Sequence, residues 1–170
     1  SGDGFPYFSV RRGTVAGVAD CIIWRIGFTG ERSSELHVPS GHALHVWETL
    51  LEQGADLGCA PFGVEAQRIL RLEKGHYIVG QDTDGLSKAP TAGLGGLVKL
   101  DKPDTIGLPE LKAAYDRSDL PILVGLQTDD PAIVPTEASQ IVDGDTTRIM
   151  GRITSSRMSP NLGRSVCLAQ

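Results

Sequence analysis

Beyond Pro121 the helical period disappears from this chain. Residues 122–127, 140–142, 148–154 and 165–168 are short runs rich in β-branched and apolar residues, with Asp, Pro, Asn and Gly between them. Alternation broken by turn formers specifies an antiparallel β region. Upstream of Pro121 strand-like and helix-like stretches are mixed. The expected fold class is therefore α+β, with an α+β region over 1–118 and a β-barrel-like region over 119–170. The final run reaches Gln170 without a polar tail. A barrel ending there leaves a strand edge unpaired, so the expectation is a fragment with an incomplete barrel, or one part of a larger assembly, the plain alternative being a simply terminated domain.

The upstream part opens with β structure over residues 5–40. Runs at 13–18 and 21–28 combine β-branched and aromatic residues, with Asp20 in the break between them, as in a hairpin. A third run, 34–38, stops at Pro39. Ser40 then suits a helix N-cap, and Ala43, Val46, Trp47, Leu50 and Leu51 repeat on one helical face up to Gly54. Gly54 is expected at the positive-φ C-terminal position. A second helix is expected over 63–73, closed by Gly75. A strand is expected at 96–100, and a short helix at 108–116 with Pro109 in its first turn.

Charge narrows the function. Lys and Arg total 16 against 21 Asp and Glu, a net charge of -5. Such a surface gains little from releasing counterions along a phosphate backbone, so nucleic acid is not an expected partner. The apolar runs fall well short of the ~20 residues of a membrane helix, so a membrane is not expected either. Cys21, Cys59 and Cys167 form no CxxC pair and no Cys/His cluster. The expectation is three reduced, mostly buried thiols in a cytoplasmic protein. His42 and His45 lie three apart with no HExxH spacing, so no metal is expected. No G-x-S-x-G nucleophile elbow is present.

Among polar candidates, Glu35 stands out, in the stretch Thr29-Gly30-Glu31-Arg32-Ser33-Ser34-Glu35-Leu36. On a strand it alternates with Leu36 and points to the opposite face. If that face looks into a cleft, the carboxylate can accept two parallel N–H bonds from a planar heterocycle. The plain alternative is a solvated turn. A second stretch runs from Leu70 through Arg71, Leu72, Glu73, Lys74 and Gly75 to Tyr77. Arg71 between two leucines is expected to pack its stem, and Tyr77 can present a ring and hydroxyl to a ligand. Asp82-Thr83-Asp84-Gly85 lacks the spacing and closing Glu of a calcium loop. Gly93-Leu94-Gly95-Gly96-Leu97 lacks the Lys-Ser/Thr and preceding strand of a phosphate loop.

Taken in order, five stretches resemble the aminomethyltransferase superfamily of the glycine cleavage T-protein. They are 5–17, Phe28-Thr29-Gly30-Glu31 with Glu35 and Val38-Pro39, 70–75, Val79-Gly80-Gln81-Asp82-Thr83-Asp84, and Gly151-Arg152-Ile153-Thr154-Ser155 with 159–163. The likeness is nearest to the folate-binding C-terminal part of sarcosine oxidase alpha subunit and dimethylglycine oxidase. It implies a partial T-protein-like folate-binding domain followed by the C-terminal barrel. It also implies tetrahydrofolate as cofactor, a small amine or iminium as substrate, and transfer of a one-carbon unit between them. Glu35 matches the family glutamate that grips the pterin.

The resemblance carries departures with it. Phe28, seven residues before Glu35, stands where a tyrosine is found in dimethylglycine oxidase-like members, keeping the ring without the hydroxyl. Gln67, with Arg68 beside it, occupies the place of a folate-contacting arginine. The family's catalytic aspartate lies upstream of the matched region, so no catalytic residue is assigned. The resemblance further implies that a missing N-terminal half, or other subunits, complete the cavity. An alternative is a non-catalytic pterin- or partner-binding module of the iron–sulfur assembly branch, whose lysine-glycine-cysteine-tyrosine signature is similar to Lys74-Gly75-His76-Tyr77 with His76 replacing the cysteine.

Overall fold

The computed structural model describes residues 4–144 and 147–170. The chain forms two compact units, Ser1–Arg71 and Leu72–Gln170.

The first unit is built on an antiparallel sheet of β1 (Val10–Val15), β2 (Val18–Trp24) and β3 (Glu35–His37), in that order. Val15 pairs with Val18, leaving Ala16 and Gly17 as the two-residue turn, both at positive φ. That geometry follows the right-handed twist of the strands, which is why the hairpin turns here and not at Asp20. Asp20 lies inside β2, itself at positive φ. β2 ends at Trp24 and not at residue 28. Beyond it the chain folds back on itself: Arg25 donates from Nη1 to the Ser33 carbonyl at 2.5 Å. A Cβ on Gly27 would sit 3.0 Å from both the Glu31 carbonyl and the Ser33 side chain, so any larger residue would crowd that return.

The helix α1 (Ala43–Gly54) follows a single 3-10 turn at Ser40–His42. Its cap is His42, without a side-chain cap bond, so Ser40 does not cap it. Gly54 also departs from expectation, having a φ of -90°. The left-handed residue is Gly58, after a further 3-10 turn at Ala55–Leu57. Gly54 is instead a point of contact, because a Cβ there would lie 2.4 Å from the Cys59 Cβ. Val46 of α1 packs with Val18 and Cys21 of the sheet, and Val15, Ala16, Leu36 and Val38 surround them. Among the described residues this cluster is the core of the unit.

The helix α2 (Val64–Lys74) carries the junction between the units, with Arg71 and Leu72 buried. The burial of Arg71 between its leucines matches the expectation of a packed stem. Gly75 then turns the chain at a φ of 80°.

In the second unit, α3 (Leu108–Asp116) forms where the pattern places it, with Pro in its first turn. The strand expected at 96–100 does not form. Gly95–Leu97 is a 3-10 turn whose N–H groups are taken by local carbonyls, Leu97 to Leu94 and Val98 to Gly95. The Tyr115 hydroxyl donates to the Gly95 carbonyl at 2.6 Å. With the Leu97 and Val98 N–H groups bonded locally, the middle of the run has no free donors to offer a ladder.

Four strands follow: β4 (Val124–Leu126), β5 (Gln140–Val142), β6 (Ile149–Ser159) and β7 (Arg164–Ala169). They form one antiparallel sheet in the order β4-β7-β6-β5, the open counterpart of a barrel. β6 runs to Ser159, past the expected end at 154, through a polar stretch that a propensity reading stops at. Two apolar clusters support the sheet. Leu72, Val166 and Leu168 pack with Tyr77 and Leu123, while Ile153, Cys167 and Ala169 pack with Val124 and Ile141. Among the described residues no helix is long and apolar enough to cross a membrane.

Candidate functional site

The strand period and the register of the first sheet together assign its two faces. Cys21 and Leu36 point toward the core with Val46. Their neighbours in sequence therefore point away. Trp24 is paired directly with Glu35, and Ile22 with His37. The outward face thus carries Trp24, Glu35 and His37 side by side, next to Val10, the β1 partner of Trp24.

The Glu35 carboxylate lies 3.6 Å from His37 Nε2, with the two side chains 58% and 56% exposed. The Trp24 ring is 6.1 Å from the imidazole, tilted at 51° to it. Glu35 therefore stands on an open sheet face. As the alternation predicts, it points opposite to Leu36. A carboxylate so placed keeps lone pairs available to a ligand, since His37 takes up only one of its oxygens.

The other sequence candidates fall as follows. Phe28 is half-buried in the folded-back segment between β2 and β3. Gln67 and Arg68 lie in α2 and are half-buried, the Gln67 N–H donating to the Gly63 carbonyl at 3.2 Å. All of these belong to the first unit. Tyr77 belongs to the second, where it packs on Leu72, Val166 and Leu168.

The second unit has its own polar centre. Asp82 is fully buried. Its carboxylate accepts from the Ile78 N–H at 2.7 Å, from the Thr154 hydroxyl at 2.6 Å and from the Ser155 hydroxyl at 2.5 Å. Consecutive strand residues normally face opposite ways. Here the register slips between Ile153 and Ser155, so Thr154 is the extra residue of a β-bulge. That bulge turns both hydroxyls to the same acceptor. Gln81 adds bonds to the Thr154 carbonyl and Ser155 hydroxyl, both at 3.0 Å. At the rim, Arg152 meets Asp84 at 3.0 Å. The N–H groups of Leu86 and Ser87, with the Arg152 charge, hold the Asp84 carboxyl below the usual carboxylate range.

A cavity of about 680 Å³ opens beside this rim, lined in part by Asp84, Lys88, Glu110, Arg117 and Arg152. Its cations are matched: Lys88 with Glu110 at 2.9 Å, Arg152 with Asp84, and Arg117 with Asp119 at 2.7 Å. Glu35, Phe28, Gln67, Arg68 and Tyr77 do not line it. No group of His, Cys, Asp and Glu among the described residues is arranged to hold a metal ion.

Residues 1–102 match the family model described as the GCVT N-terminal domain, and residues 122–170 match the glycine cleavage T-protein C-terminal barrel domain. The chain belongs to the glycine cleavage T-protein family. An aminomethyltransferase of Halothermothrix orenii is 37% identical over 165 residues, 96% of this chain and 45% of that protein. A sarcosine oxidase subunit alpha of Corynebacterium sp. (strain P-1) is 34% identical over 181 residues, 99% of this chain and 18% of that one. The crystal structure of glycine cleavage system aminomethyltransferase T from Bartonella henselae superposes with a TM-score of 0.76 at 26% identity. It is matched over 88% of this chain and 41% of its own. The chain thus spans less than half the length of these relatives.

Two motifs of this T-protein-family chain, 79–84 and 151–155, meet in the structure through Asp82 with Thr154 and Ser155, and through Asp84 with Arg152. They join the Tyr77 side of the unit to its sheet and so act in the fold. Sequence reasoning missed Trp24 and His37 as neighbours of Glu35. The alternation of β2 was there to read, but which β2 residue opposes Glu35 depends on register.

Proposed function

We propose that this chain is the folate-binding and barrel-forming part of a tetrahydrofolate-dependent one-carbon transferase, of the aminomethyltransferase or sarcosine oxidase alpha type. In this reading residues 1–118 form the folate-binding region and 119–170 the barrel-like region. A small amine or its iminium donates the carbon. Tetrahydrofolate supplies the nitrogen nucleophiles that take it up. The remaining parts of the cavity, and the proton-accepting group, come from chain or subunits beyond these residues.

The observation that carries this reading is the placement of Glu35. The sequence resemblance matches it to the family glutamate, and in support of that match it projects from the sheet face away from the core with its side chain exposed. The donor and acceptor chemistry fits: the edge of a pterin offers adjacent N–H groups, and a carboxylate accepts both in parallel. Phe28, Gln67 and Arg68 are assigned to the walls around the ring and its glutamate tail.

Titration calorimetry with tetrahydrofolate tests the proposal. The parent protein is expected to bind, and Glu35→Gln to bind at least tenfold more weakly, the loss of a charge-assisted pair being about 1.5–3 kcal/mol. Equal affinity of parent and variant rejects Glu35 as the pterin ligand.

A further inference from the structure

We infer that Trp24 is the stacking platform for the ring that Glu35 holds, an inference that rests on the pterin reading of Glu35. β3 is the edge strand of its sheet, so Glu35 has a cross-strand neighbour on one side only. That neighbour is Trp24, directly opposite in register. Directly opposed residues of an antiparallel pair stand on the same face with Cβ atoms about 5 Å apart. A bicyclic ring gripped at its edge by Glu35 extends past that spacing, and on this side of β3 the surface it meets is the indole.

The indole is prepared for the task. It rests against His37 at 6.1 Å and yet remains 42% exposed. Both side chains rise from the same face of the sheet at a directly opposed pair, which puts the indole within reach of a ring held by the carboxylate. Offset stacking of a heterocycle on tryptophan adds affinity that does not depend on hydrogen bonding. Division of labour follows: Glu35 reads the N–H edge of the ring and Trp24 reads its face. The pterin-free part of a folate, the p-aminobenzoylglutamate, is not touched by Trp24.

The experiment is calorimetry on the full protein with three probes: tetrahydrofolate, 6-methyltetrahydropterin and p-aminobenzoylglutamate. Trp24→Ala is expected to weaken the first two roughly ten- to hundredfold, the range of a lost aromatic stack. Trp24→Phe retains affinity within a few-fold, and the third probe is unaffected by either variant. Tryptophan emission gives a second readout, because the chain has 2 tryptophans and Trp47→Phe leaves Trp24 alone. In that variant 6-methyltetrahydropterin quenches the emission. If Trp24→Ala binds both pterins as the parent does while Glu35→Gln does not, the stacking role is overturned and the proposed function stands. If the parent binds no pterin, or Glu35→Gln binds as well as the parent, the carboxylate reading fails and takes this inference with it.

Discussion

The Thr154 hydroxyl donates to the buried Asp82 carboxylate at 2.6 Å across 72 residues of sequence. The bulge at Thr154 makes the contact possible, and Ser155 reaches the same oxygen. Asp82→Ala would leave two hydroxyls and the Ile78 N–H without this acceptor inside the unit. The expected loss is about 2–4 kcal/mol of stability, against about 1–2 kcal/mol for Thr154→Val. Urea unfolding monitored by circular dichroism measures both. A near-neutral Asp82→Ala would show that the carboxylate does not organise the second unit.

Gly54 and Cys59 supply a test in which packing opposes propensity. Alanine in place of a helical glycine is worth about 1 kcal/mol in favour of the helix. At Gly54 the added Cβ would lie 2.4 Å from the Cys59 Cβ, and the φ of -90° gives no backbone reason for glycine. Gly54→Ala is therefore expected to lower the thermal midpoint, with a net cost of about 1–3 kcal/mol as in other overpacked sites. Adding Cys59→Gly removes the clashing atom and restores the midpoint.

Asp84 gives a pH signature. Its carboxyl is held below its ordinary value by the Leu86 N–H first, then by Ser87 and the Arg152 charge. The folded pKa lies below the unfolded one, so the contribution is full at neutral pH and is lost as pH falls through the folded value. Asp84→Asn is expected to differ from the parent by a constant amount above roughly pH 5 and to converge with it in stronger acid. Thermal melts across that range, with Arg152→Gln beside them, check the convergence.

The role proposed for Glu35 is in binding and not in support of the fold. Its side chain is 58% exposed and its partner His37 is 56% exposed. Glu35→Gln is expected to leave the unfolding midpoint unchanged, to within about 0.5 kcal/mol as for other exposed positions, while tetrahydrofolate affinity falls at least tenfold. A parallel loss of stability and binding would place Glu35 among the structural residues.

Much of the fold was legible because its signals are short-range. The helical period of Ala43–Gly54 and Leu108–Asp116, and the glycine at 75, each depend on a few neighbouring residues. The errors arose where a distant or unreadable partner decided the outcome. The run at 96–100 has strand propensity but forms a local turn under the Tyr115 hydroxyl. β6 continues through Ser155, Ser156 and Ser159 because β7 pairs with it and Glu73 accepts from Ser159 at 2.5 Å. No pattern along the chain reveals a partner 86 residues away.

The site divides in the same way. Alternation alone set Glu35 opposite to Leu36, and the ordered motifs marked it as the candidate pterin ligand. Tertiary structure decided that Trp24 stands against it, because strand register is chosen by burial of the whole sheet face and not by the residues at the pair. Tertiary structure likewise decided that the motifs 79–84 and 151–155 close on one buried carboxylate. Sequence determines local geometry through sterics within a few bonds. Which polar groups share a buried site is settled only when chain segments far apart exclude water together.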